Sequence, residues 1–106
     1  MIFELRIYTI KKGCRNKWVE LMDTIIIPFQ VEMGMTVIGS FISLDHEDEY
    51  IWIRRFNDED HRKELYDVVY GSTYWKTKIK NVMGDMLIRE KVSVYLLKAT
   101  PGSGIQ

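Results

Sequence analysis

Only one cysteine, Cys14, occurs in 106 residues, so no intrachain disulfide can form and no cysteine-rich metal site exists. Its flanking residues show no base to activate it, so an unreactive buried thiol is the default. Net charge is also missing: fifteen basic residues balance fifteen acidic ones. Binding to nucleic acid draws on a surplus of positive charge, which speaks against a nucleic-acid partner. No apolar run approaches the 18 or so residues needed to cross a bilayer, so no membrane partner is expected. The first strand meets Glu4 and Arg6 at once, which does not fit a secretory leader and points to the cytoplasm. No G-x-G-x-x-G, P-loop, H-E-x-x-H, G-x-S-x-G or C-x-x-C motif is present, which removes the usual dinucleotide, nucleotide-hydrolysis and zinc-protease chemistries.

Hydrophobic residues are plentiful at 46%, with six Tyr, four Phe and three Trp. That suffices for one core in one domain, spanning residues 1–100 with a loose tail at 101–106. A domain this small buries only about 60 to 65% of its unfolded surface, so self-association is a natural route to stability.

Alternation predicts a strand at Ile2–Ile10, with Phe3, Leu5, Ile7 and Thr9 on one face and Glu4, Arg6 and Tyr8 on the other. A helix is expected over Cys14–Glu32 from the spacing of Trp18, Leu21, Met22, Ile25, Ile26 and Phe29. Pro28 should kink or shorten it, and Gly34 supplies a left-handed helix end. Strands are predicted at Met35–Ser43, where Gly39 marks a bulge or a close backbone approach, and at Tyr50–Phe56, joined by the acidic stretch around His46. Asn57 is a candidate cap for a helix reaching Val69. Ser72 is a candidate cap for a further helical segment that Gly84 ends. Leu87–Lys98 reads as a fourth strand.

This β-α-β-β-α-β order is that of an α+β, ferredoxin-like antiparallel sheet with its helices on one face. The face left over is expected to carry Ile2, Tyr8, Ile10, Trp52, Phe56, Tyr95 and Leu97. Leaving even 400 Å² of such surface in water forfeits on the order of 10 kcal/mol of hydrophobic free energy. A homodimer, or a higher oligomer, would shield it.

The segments ELRIYTIKKGCRNKW (residues 4 to 18) and IPFQVEMGMTVIGSF (residues 27 to 41), with Tyr74-Trp75 and Arg89 further on, resemble the NIPSNAP family. The likeness runs over residues 2 to 101. It implies a dimeric α/β barrel, in which two ferredoxin-like subunits join their sheets. The wider group of such barrels is similar in architecture to cofactor-free and haem-degrading monooxygenases and to muconolactone isomerases. The acidic loop at Asp45–Glu49 and the ATPGSG tail depart from the family pattern. No single reaction transfers to these residues.

Chemistry is expected from Glu4, Arg6, Tyr8 and Arg54, the candidate catalytic residues. Either arginine could hold a carboxylate, phosphate or enolate. Glu4 would act as a base if an apolar setting raised its pKa, and Tyr8 would donate to oxyanion charge. Trp52, Phe56, Tyr74, Trp75 and Tyr95 are the candidate ligand-binding residues. An ion-pair network that only fixes the dimer is the competing reading of the charged set. His46 and His61 read as solvated or partly buried side chains, and no metal set or cofactor is expected. The resulting functional expectation is an oxygenase or isomerase, without a cofactor, for a small apolar or aromatic substrate bearing an anionic group. A non-catalytic small-molecule binder and a structural homodimer are the alternatives.

Overall fold

The computed structural model describes residues 1–106. Four strands form one antiparallel sheet: β1 (Ile2–Thr9), β2 (Thr36–Ile42), β3 (Glu49–Phe56) and β4 (Ser93–Leu97), in the order β2-β3-β1-β4. Residue pairs across the strands include Glu4 with Arg54, Arg6 with Trp52 and Tyr8 with Tyr50. Between β1 and β2 run α1 (Arg15–Leu21), a π-helical turn (Met22–Ile26) and α2 (Ile27–Glu32). Between β3 and β4 run α3 (Glu59–Tyr70), a second π-turn (Trp75–Ile79) and α4 (Lys80–Gly84), then a 3₁₀ turn at Arg89–Lys91.

The two π-turns set the geometry of the core. In them Ile27 N–H donates to the Met22 carbonyl and Lys80 N–H to that of Trp75, each reaching five residues back. An ordinary helix completes a turn in 3.6 residues, so side chains four apart drift around it. The wider π-turn slows that drift. Trp18, Met22, Ile26 and Gln30 therefore stay on one line and are all fully buried. Trp75, Ile79 and Met83 line up likewise in the second section and are buried, Ile79 completely. The broad stripe expected in the first helix is narrower in fact, because Ile25 faces outward. Pro28 does not end that helix: it sits in the first turn of α2, just after the π-turn, where its missing N–H is tolerated.

Gly34, at φ +110°, and the bulge between Val37 and Gly39 lie where expected. The cap of α3 is Asp58 rather than Asn57, its carboxylate accepting the His61 backbone N–H at 2.8 Å. Ser72 Oγ accepts the Trp75 N–H at 3.1 Å. The fourth strand is shorter than predicted, since Leu87 makes only an isolated bridge to Ile10 before the 3₁₀ turn intervenes.

Two expectations are corrected. The sheet does not close into a barrel: β2 and β4 each have one strand neighbour and remain free edges of an open sheet. The dimeric α/β barrel is therefore not the architecture seen, which is an open antiparallel sheet with helices packed on it. The facing of the strands is also reversed. Tyr8, Ile10, Tyr50, Trp52 and Phe56 join Trp18, Met22, Ile26, Leu65, Val69 and Ile79 in the core beneath the helices. Opposite them lie Leu5, Ile7, Ile51 and Ile53, half-buried, with Phe41, Tyr95 and Leu97 more exposed. An uncovered apolar face does exist, but it is the aliphatic one. Of the residues assigned to it, Tyr95 and Leu97 are there, paired with Leu5 and Phe3. The tail folds back near this face, and Arg55 Nη1 donates to the Gln106 carbonyl at 3.2 Å.

Candidate functional site

Alternation along β1 sends Glu4, Arg6 and Tyr8 to the helix side, and β3 places Arg54 and Trp52 opposite the first two. Glu4 is fully buried. Its Oε1 accepts from Arg6 Nε at 2.8 Å and from Arg54 Nη2. Its Oε2 accepts from Arg62 Nε at 2.7 Å and from the Tyr66 hydroxyl. Arg62 and Tyr66 stand one helical turn apart on α3 and so descend on the carboxylate together. Arg54, itself buried, also donates to Gln30 Oε1 at 2.9 Å and to the Tyr70 hydroxyl at 2.8 Å. Its guanidinium lies 4.5 Å from the centre of the Trp52 ring, a cation–π contact.

Burial on its own would push the Glu4 carboxyl up; the charges of Arg54 and Arg6 and the bonds from Tyr66 and Arg54 outweigh it and hold the carboxyl down at about 2. Burial also works against the charge of Arg54, and the oxygens of Tyr70, Glu4 and Tyr66 more than offset it. The Tyr8 phenol is pushed up by burial, with Arg6 opposing. Glu4 is thus an ionised anchor for arginines. The raised carboxyl that base chemistry would need is not formed.

Beside this network a cavity of about 460 Å³ opens between the sheet and the helices. Its floor is buried and consists of Tyr8, Met22, Ile26 and Trp52. Trp75, Met83 and Leu87 form apolar walls. Both π-turns contribute lining residues, and such turns recur at functional sites. Four lining residues are cationic, namely Arg6, Lys76, Lys80 and Arg89, and none is acidic. Arg6 Nη1 points to the Tyr8 hydroxyl at 3.4 Å and Nη2 donates to that of Tyr66 at 2.7 Å. The Trp52 indole N–H is buried and has no partner in the protein. A buried donor left unpaired costs about 1 to 3 kcal/mol, and the Trp18 indole N–H and the Tyr50 hydroxyl are unpartnered in the same core.

Of the residues singled out in the sequence, Arg6, Tyr8, Trp52 and Trp75 line the cavity. Glu4 and Arg54 stand behind them in the ion-pair network, and Phe56 is buried against His61 and Tyr66. Tyr74 lies outside, half-exposed, 4.9 Å from the Phe29 ring. Tyr95 is on the other face of the sheet, so it cannot meet a ligand held by Trp52. Sequence reasoning missed Gln30, Arg62, Tyr66, Tyr70, Lys76, Lys80 and Arg89. The four-residue spacings Arg62–Tyr66–Tyr70 and Lys76–Lys80 were the available signal. No three His, Cys, Asp or Glu side chains gather where they could hold a metal ion, and no helix is long and apolar enough to cross a membrane.

Solved structures share the fold over essentially the whole chain. A NIPSNAP family protein of unknown function from Agrobacterium tumefaciens superposes with a TM-score of 0.88 at 21% identity, covering 100% of this chain and 94% of its own. A second from the same organism gives 0.87 at 22%, covering 99% and 98%. An antibiotic biosynthesis monooxygenase is similar at 0.68 and 13%, covering 95% and 100%. At such identities the likeness is one of fold. Curated protein sequences give no match. The family model for NIPSNAP matches residues 3–101, and with nearly every residue of the domain inside that match, the chain belongs to the NIPSNAP family.

Proposed function

We propose that this protein binds a small molecule with an apolar or aromatic body and an anionic group, held in the cavity between sheet and helices. The observation that carries this reading is the lining: nine apolar residues, four cations and no carboxylate around about 460 Å³. That volume falls in the range of small-molecule sites, where a few convergent polar groups orient an otherwise apolar ligand. Arg6 is held on three sides by Glu4, Tyr8 and Tyr66, a preorganised donor whose ordering cost is met before any ligand arrives.

Binding has more support than catalysis. An isomerase, or an oxygenase that begins by deprotonating its substrate, requires a proton acceptor within reach. The cavity holds no histidine or carboxylate, and Glu4 is committed to three arginines. Self-association belongs to the same proposal, because Leu5, Ile7, Ile51, Ile53 and Phe41 form an aliphatic face that a second copy would shield.

Calorimetric titration with naphthalene-1-sulfonate and with neutral 1-naphthol tests the ligand reading. The sulfonate should bind about tenfold more tightly, the scale of one or two partly solvated charge contacts. Absence of binding by either probe, or equal binding of both, would sink it. Sedimentation at micromolar concentration tests the self-association.

A further inference from the structure

The cations of the cavity are not equivalent. Arg6 is mostly buried, and its charge is shared with Glu4 at 2.8 Å. Lys76, Lys80 and Arg89 are exposed at the rim, and none of them has an ion-pair partner in the chain. The second π-turn brings this about. Its five-residue reach stacks Lys80 over Trp75, the Lys80 N–H donating to the Trp75 carbonyl, so an apolar wall and a cationic rim share one helical surface. Arg89 turns back toward the same segment, its Nη2 lying 3.8 Å from where a side chain on Gly84 would begin. Three like charges gathered at one opening repel one another. A single negative charge leaves two of them uncompensated; a compact dianion leaves only one.

We infer that the rim formed by Lys76, Lys80 and Arg89 is a phosphate-ester site, and that the ligand enters with its phosphoryl group outward. This rests on the proposed binding of an apolar anion in the same cavity and assigns the anionic group to the rim. The deep end is left to a different part of the ligand. There the Arg6–Tyr8 pair offers donors, which fit an uncharged oxygen such as a carbonyl or ether. The ligand class is therefore a phosphomonoester whose apolar body ends in an oxygen acceptor. Lysine and arginine at the rim supply donors in the number that three phosphoryl oxygens accept.

The test compares 1-naphthyl phosphate with naphthalene-1-sulfonate, which share a body and differ in charge. At pH 8 the phosphate should bind about tenfold more tightly, consistent with two exposed charge contacts. That advantage should shrink toward pH 5, as the phosphate passes through its second ionisation at about 6, while sulfonate binding stays level. K76A/K80A and R89A, checked for folding by their thermal transitions, should each lower the phosphate affinity and bring the two probes together. If both probes bind alike at pH 8, or if the rim variants leave the phosphate preference intact, the rim assignment is overturned while the broader ligand reading stands. If neither probe binds, the broader reading fails first. Co-sedimentation with vesicles containing phosphatidate, without binding of naphthyl phosphate, would also overturn the assignment, since the recognised group would then be a membrane headgroup.

Discussion

Replacing Glu4 by glutamine should be among the most damaging conservative substitutions in the chain. The carboxylate is fully buried and ion-paired to Arg6, Arg54 and Arg62. Its folded pKa is lowered from 4.5 to about 2, which corresponds to about 3 kcal/mol of stabilisation at neutral pH. Because the folded value lies below the unfolded one, that contribution is complete above pH 4.5. It drains away as the pH falls toward 2. Glutamine removes it at every pH and strands the buried Arg54 without a counter-charge; deleting one partner of a buried pair costs about 3 to 5 kcal/mol in all, a figure that already includes this contribution. That is a large part of the roughly 5 to 15 kcal/mol typical of small domains. Urea unfolding followed by tryptophan fluorescence at pH 7, 4 and 3 measures it. The wild type should lose stability steeply on the acid side, and the Glu4→Gln variant should be much weaker at pH 7 with a flatter acid limb. A loss under about 1 kcal/mol at pH 7 would refute the reasoning, as would a carbon-13 titration placing the wild-type Glu4 carboxyl near its ordinary value.

Other outcomes follow from the same structure. Trp18→Ala empties a fully buried site packed edge-on against Tyr8 and Tyr50, and should cost about 3 to 5 kcal/mol in chemical denaturation. Gly34→Ala forces a side chain to φ +110° and to 3.3 Å from Leu65 Cδ2; a loss of about 1 to 2 kcal/mol is expected, and an unchanged melting temperature would contradict it. Arg15 Nη1 donates to the carbonyls of Ser43 and His46 at 3.0 and 2.9 Å. Arg15→Ala should therefore speed amide exchange in residues 44–48 while leaving the core of the sheet protected.

Element types were legible because period two and period near four are strong signals over eight to twelve residues. Periodicity says which side chains of a strand stand together; it does not say which set turns toward the helices. In β1 one set is Phe3, Leu5 and Ile7, the other Glu4, Arg6 and Tyr8. Hydrophobicity alone sends the first set inward. The fold does the opposite, since Arg54, Arg62 and Tyr66 neutralise Glu4 from two other elements, and such partners are invisible along one strand. Register is equally hidden: Tyr95 stands across from Leu5 rather than Arg6, and a shift of one residue would have put it on the same face as Trp52, with Arg6 between them. Arg6, Tyr8, Trp52 and Trp75 could be picked out as polar or aromatic residues in otherwise apolar patterns. Nothing in the sequence pattern marks Lys76 and Lys80 as cavity residues; the π-turn places them there.

Each π-turn amounts to one residue more than a regular helix needs. Removing a single residue from Trp75–Ile79 would let that stretch wind as an α-helix and rotate everything between it and Gly84, including Lys80, about the helix axis. The sheet would be untouched. In this fold, chain length within a helix acts as a tuning peg for the shape and charge of the cavity, so relatives that differ by one residue there should differ in its lining.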